Sequence, residues 1–383
     1  MRSARTVAVL LVTLCGVVSC THGPTRMDVY IGTYTGGSTG SEGIYLLDLD
    51  MATGEVKSRG LVAKARNPSF LAIHPDRGHL FSVGEFGDFK GQKAGSVSAF
   101  RIDASTGELT LINETSSGGG APCHLVVDAG GRTVLAANYN GGSVCAIRIE
   151  DDRSLGETTA FVQHQGSSVD KRRQGAPHAH SINVDPTNRY AMAADLGLDR
   201  VLVYRFDDIQ GTLEANDPSG VSVAPGGGPR HFAFHPSRPF AYVNNEMTST
   251  VTAFAYDAQK GVLVEIETLS TLPEGFQGGN STAELRVHPS GRFLYVSNRG
   301  HDSVAVFRID RQTGRLTHVE NEKTGGRTPR NFGIDPTGAY LLAANQSTSV
   351  VVVFRVDPRS GALEPTGHSV EVPTPVCVRF VAR

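Results

Sequence analysis

Seven related segments, 46 to 57 residues apart, constrain this chain more than any other feature. They read PSFLAIHP from Pro68, PCHLVVD from Pro122, AHSINVDP from Ala179, PRHFAFHP from Pro229, TAELRVHP from Thr282, PRNFGIDP from Pro329 and PVCVRFVA from Pro375. Each alternates apolar and polar residues, as a half-buried strand does. In the first six a proline- or glycine-bearing turn follows, then a second apolar run: SVGEF, AANYN, AADLG, VNNEM, VSNRG or AANQS. A period near fifty residues with four short strands per repeat is the signature of a β-propeller. The expected fold is all-β: a seven-bladed β-propeller with four antiparallel strands per blade.

The repeat also predicts how the ring closes. DVYIGTYT, from Asp28, matches a second strand but has no first strand before it, and PVCVRFVA at the other end has no partner after it. The first blade should therefore join both ends of the chain, leaving no open sheet edge. Residues 27–383 then form one propeller domain. Trp is absent, which argues against blades of the Trp-Asp repeat type, while 44 glycines suit many tight turns. A formal net charge of −2 gives no electrostatic footprint for nucleic acid.

The first residues read differently. Arg2 and Arg5 precede an apolar run over residues 7–18 and the tetrad Val17-Val18-Ser19-Cys20. This is the pattern of a lipoprotein-type signal over residues 1–20, with Cys20 as the lipidation site and residues 21–26 as a tether. The run is short for a membrane span. It places the protein in the cell envelope, held to a membrane only through the lipid at Cys20. The alternatives are an ordinary signal peptide, or a misassigned start on a cytoplasmic protein. The remaining cysteines, Cys123, Cys145 and Cys377, are odd in number and define no disulfide framework. They are expected to be buried.

Candidate functional residues come from broken symmetry. Equivalent first-strand positions converge on the central channel, where they are Ser69, Cys123, His180, Arg230, Ala283, Arg330 and Val376. In the first six repeats the residue 16 positions later ends the second strand, giving Glu85, Tyr139, Leu196, Glu246, Arg299 and Gln346; Tyr34 is its equivalent in the first blade. A purely structural ring would repeat one residue type. These positions diverge into His, Arg and Glu while the scaffold stays similar, which marks a site at one mouth. Arg230, Arg299 and Arg330 offer planar forks to an anion, and Glu246 and His180 are the acid–base groups. An ionised Glu246 between arginines could activate water, or could simply be paired with them. His180, Glu246, Arg230 and Arg299 are the catalytic candidates. Arg330, Glu85, Tyr34, Tyr139 and Gln346 are the substrate-binding candidates.

Two insertions, 86–95 and 163–177, should rise at the same mouth. The second contains Lys171, Arg172 and Arg173, which either guide an anion or are merely solvated. His178 and His180 form an HxH pair without a further ligand set, so no metal and no other cofactor is expected. His74, His235 and His288 precede proline in the turns and read as turn caps.

The chain resembles the seven-bladed lactonase family, which includes propeller-type 6-phosphogluconolactonases and carboxymuconate cyclases. The resemblance rests on PHAHSINVDP, GGGPRHFAFHPSRPFAYVNNE and ELRVHPSGRFLYVSNRGHDSVAVF. It implies that His180, Arg230, Glu246 and Arg299 carry the chemistry, without an obligatory metal. The implied reaction is hydrolysis of a sugar-acid lactone, with 6-phosphogluconolactone to 6-phosphogluconate as the leading case and a small anionic lactone as the partner. The envelope signal fits that phosphosugar poorly, since it is made inside the cell. Two other readings stay open: a lactone-forming carboxymuconate cycloisomerase, and a non-catalytic binding propeller of the envelope. The oligomeric state is left open.

Overall fold

A computed structural model describes residues 24–383; the expected signal and Cys20 lie outside them. Seven four-stranded antiparallel sheets surround a central channel. Blade 1 is built as expected, with Pro375–Ala382 innermost, then Arg26–Thr33, Gly43–Asp50 and Val56–Lys64. Arg26, expected in the tether, is already the first residue of a strand and pairs with Asp50. The innermost strands of blades 2 to 7 are Leu71–Ile73, Pro122–Val127, Ala179–Val184, Pro229–Phe234, Ser281–Val287 and Pro329–Ile334. No helix among the described residues is long and apolar enough to cross a membrane.

The alternation that predicts strands also builds the core. The middle strands bury both faces, because each sheet is sandwiched between two neighbours. Leu341, Ala343, Phe354, Tyr295 and Phe332, for example, form one cluster between blades 6 and 7. Their removal from water, worth about 25 cal/mol per Å² of apolar area, is what holds blade to blade. The channel-end turns add specific ties. His74, His235 and His288 do more than cap their own turns: each Nε2 bonds the carbonyl of a glycine in the next blade, Gly131, Gly291 and Gly338, at 3.0, 2.8 and 2.9 Å. Gly291 sits at φ +69° with its Cα against the His235 ring, so a side chain there would be both strained and blocked.

At the other end the inner strands carry a β-bulge. The pairing register slips between Pro122 and His124, Ala179 and Ser181, Pro229 and Phe232, Thr282 and Leu285, and Pro329 and Asn331. A bulge sets two residues of one strand against one of its partner and re-aims their side chains. Here it admits consecutive residues to the channel: Arg230 and His231 touch, with Nη1 3.1 Å from Nε2.

Candidate active site

Each ring position is fixed by a strand end. Arg230 lies in the bulge of the blade 5 inner strand, and Glu246 follows that blade's second strand, Phe240–Asn245. Arg299 ends the equivalent strand of blade 6, Phe293–Arg299. These three meet. Glu246 Oε2 accepts Arg230 Nε at 2.9 Å and lies 3.0 Å from Arg299 Nη2. Arg230 Nη1 also donates to the Ala283 carbonyl at 2.6 Å, and Arg299 Nη2 to that of Thr282 at 2.9 Å.

A third guanidinium joins them. Arg173, from the 163–177 insertion, reaches Glu246 Oε1 at 2.7 Å and the Tyr139 hydroxyl at 3.2 Å. All three basic residues of that run are exposed, Arg173 at 45%, but only Arg173 reaches Glu246. Burial by itself would raise the Glu246 carboxyl. Arg299 and Arg230, with the Arg173 hydrogen bond, outweigh it and hold the carboxyl far below the usual carboxylate range. Glu246 is therefore ionised at neutral pH, with three guanidinium groups on its two oxygens.

His180 is buried beside this cluster. Desolvation, then the Arg230 charge, hold its pKa well below 6.5, so it is neutral at pH 7. Its Nδ1 lies 3.5 Å from the Cys123 sulfur, and its Nε2 has no hydrogen-bond partner among the described residues. The Cys123 thiol is pushed up by burial and by the Glu85 charge, so it is neither a thiolate nor a nucleophile. Cys145 and Cys377 are buried and unbridged too.

The remaining candidates form a second group on the far side of the opening. Glu85 accepts from the Tyr34 hydroxyl at 3.0 and 2.9 Å and from Ser69 Oγ. The Arg330 guanidinium lies over the Tyr34 ring, 5.3 Å from its centroid. Arg330 makes no side-chain hydrogen bond to any described residue, so its donors are unspent. Arg330 shares one cavity with Ser69, Glu85, Cys123 and Arg230. Tyr139 stacks on His178 and meets the His180 ring edge-on. Gln346 opens a short 3-10 turn and makes no side-chain bond to the cluster. His178 Nδ1 bonds the Tyr139 carbonyl, so the HxH pair points its nitrogens at different partners. Among the described residues the one His/Asp group with converging ligand atoms is His74, Asp76 and His79, in a turn at the opposite face. Both His74 nitrogens are engaged there, with Gly131 O and Asp76 N.

Asp199 holds the loops that deliver two of the arginines. It is 4% exposed at φ +53°. One oxygen accepts Gln174 Nε2 at 2.6 Å and Gly228 N at 2.7 Å; the other accepts Ser168 Oγ at 2.6 Å and Gly226 N at 2.7 Å. Ser168 and Gln174 flank Arg173, and Gly226 and Gly228 precede Arg230. Replacing Asp199 by Ala removes four bonds to a buried charge. The expected cost is about 3–5 kcal/mol in chemical denaturation, with a raised KM as Arg173 and Arg230 lose their posts. Asp199→Asn, which keeps an acceptor, should recover part of both.

Sequence reasoning missed Asp199, the reach of Arg173, and a second channel ring one residue inward of the first: Phe70, His124, His231, Glu284 and Asn331. Applied one position later, the same broken-symmetry test finds that ring, because those residues also diverge between blades.

A seven-bladed propeller with an arginine–glutamate–histidine cluster at one channel mouth is the class that fold and site define. The chain belongs to the family described as "Lactonase, 7-bladed beta-propeller", whose model matches residues 28–380. It is 38% identical over 352 residues to a 6-phosphogluconolactonase of Bacillus subtilis, covering 92% of this chain and 97% of that one. A 6-phosphogluconolactonase of Formosa agariphila is 32% identical over 302 residues, covering 78% and 83%. Among solved structures, the periplasmic gluconolactonase of Pseudomonas aeruginosa superposes with a TM-score of 0.87 at 38% identity, covering 93% and 99%.

Proposed function

We infer that this protein is an enzyme that hydrolyses the lactone of a sugar acid at the mouth carrying His180, Arg230, Glu246, Arg299 and Arg330. One observation carries the reading: a neutral buried histidine stands beside a saturated arginine–carboxylate cluster and one arginine with unspent donors. Arg330 binds the lactone carbonyl and takes up charge as the tetrahedral intermediate forms. His180, through Nε2, accepts a proton from the attacking water and returns it to the ring oxygen as the C–O bond breaks. The products are the sugar-acid carboxylate and a released proton. Glu246 is not the base: a carboxylate held by three guanidinium groups has little basicity. Its role is to keep Arg173, Arg230 and Arg299 converged without mutual repulsion.

The relatives are named for both phosphorylated and unphosphorylated lactones. The signal-like pattern ending at Cys20 and the periplasmic neighbour favour an envelope location and a lactone without phosphate. Freshly made gluconolactone and 6-phosphogluconolactone, followed by pH-stat, decide between them. Wild type should open at least one well above its spontaneous rate, and Arg330→Ala should lower kcat/KM by about 100- to 1000-fold. No acceleration of either lactone would overturn the reading and leave cycloisomerisation or pure binding to be tested.

A further inference from the structure

The channel has a second mouth, at the end where the inner strands turn. A cavity of about 610 Å³ opens there, lined by His124, His231, Glu284, Arg286 and Arg379 together with Phe70. It is separated from the candidate active site by packed rings. His231 lies 5.3 Å from His124, 5.6 Å from His180 and 5.6 Å from Phe70 between centroids, and these rings plug the bore.

Two buried carboxylates line this cavity, Glu284 and Asp185, each 2% exposed. The Glu284 oxygens are taken by His231 Nδ1 at 3.0 Å, the Leu285 amide at 3.1 Å and Asn331 Nδ2, and those of Asp185 by the Arg189 and Tyr190 amides and the Tyr256 hydroxyl. Arg379 gives Nε to the Leu71 carbonyl and Nη1 to that of Val378, both at 2.7 Å, and lies 4.5 Å over the Phe70 ring; its Nη2 has no partner among the described residues. Arg286 makes no hydrogen bond to them: its Nε is buried and unpartnered, 3.4 Å from Glu284 but poorly aligned. Both arginines also line an adjoining cavity of about 240 Å³, with Gly333 of the intervening blade. Burial, and for His124 and His231 the surrounding charges, keep both imidazoles neutral. His124 Nδ1 accepts the Ile182 amide at 3.4 Å, which puts its proton on Nε2 as a further donor. Two guanidinium groups thus face two carboxylates whose oxygens are already taken by other groups, which leaves unspent arginine and imidazole donors in a concave, partly apolar site.

We propose that this second mouth binds a small oxyanion, a carboxylate or phosphate, at a site distinct from the catalytic one. The proposal stands whether or not the lactonase reading does, because it concerns binding alone.

Calorimetric titration of the protein with inorganic phosphate and, separately, with gluconate tests it. At least one should bind in the millimolar range or tighter. Arg286→Gln and Arg379→Gln should each weaken that binding about ten-fold or more, while Arg330→Ala, at the other mouth, leaves it in place. Whichever anion binds more tightly identifies the preferred headgroup. Arg379 ties two carbonyls and its variant could unfold. Arg286, 35% exposed and held only by its 3.4 Å ion pair with Glu284, keeps the test valid, with circular dichroism confirming the fold. Binding unchanged in Arg286→Gln, binding lost only in Arg330→Ala, or no binding of either anion would overturn the proposal.

Discussion

Glu246→Gln is expected to lower kcat/KM for the lactone by about 1000-fold and to destabilise the fold by about 3–5 kcal/mol. The reason is the company Glu246 keeps. Arg230, Arg299 and Arg173 converge on its two oxygens at 2.9, 3.0 and 2.7 Å, and Arg230 and Glu246 are almost fully buried. An amide keeps one acceptor but turns an NH₂ group towards a guanidinium and withdraws the only charge that balances three. Breaking a buried ion pair from one side costs far more than the pair contributes, because the remaining charges stay desolvated. A general base lost at this position would also abolish activity, so stability separates the roles. If Glu246 organises the arginines, the double variant Glu246→Gln/Arg299→Gln should regain stability relative to Glu246→Gln, since one unbalanced cation goes with it. Urea denaturation of wild type, both single variants, Glu246→Gln and Arg299→Gln, and the double variant measures this. A Glu246→Gln enzyme with near-native stability and rate would end this account of the site.

The second large effect is loss of stability in mild acid. His124, His180 and His231 are all buried, and all have pKa values held well below 6.5 by desolvation and by charges that include arginines. The sign follows from proton binding. Below pH 6.5 the unfolded chain protonates these histidines while the folded one does not, so acid favours the unfolded state. Each group costs about 1 kcal/mol on going from pH 6.5 to about 5.5, and the three together about 3 kcal/mol. Well above pH 7, where the unfolded histidines are deprotonated too, they contribute no slope. Glu246, also depressed when folded, adds loss of the same sign below its ordinary pKa of 4.5. Urea midpoints across this range should fall steeply and reversibly. A flat profile from pH 7 to about 5.5 would show the histidines to be solvated or paired with compensating charge.

The sequence is most legible where the repeat is strict. The 16-residue offset locates both halves of the mouth ring, and the unmatched strands at each end foretell the joint first blade. It is least legible where local backbone departs from the repeat. A period-two reading sends Arg230 and His231 to opposite faces of their strand. The bulge between Pro229 and Phe232 brings both towards the channel, and a bulge leaves no mark in hydrophobic periodicity. Arg173 is hidden for another reason. Its position depends on Gln174 and Ser168 reaching Asp199, a contact set by the geometry of an irregular loop. The turn histidines show a third case: their recurrence before proline is visible, but that they bind the next blade's turn is a fact of blade packing.

Blade 1 is a clasp. Its innermost strand, Pro375–Ala382, pairs with Arg26–Thr33 across almost the whole length of the chain. Until those residues have left the ribosome, six blades can form locally but no channel exists, since blades 7 and 2 have no wall between them. Both mouths are therefore complete only when that strand is in place. The strand that completes the circle also carries Val376 to one opening and Arg379 to the other, so neither site exists in a chain that has lost its final strand.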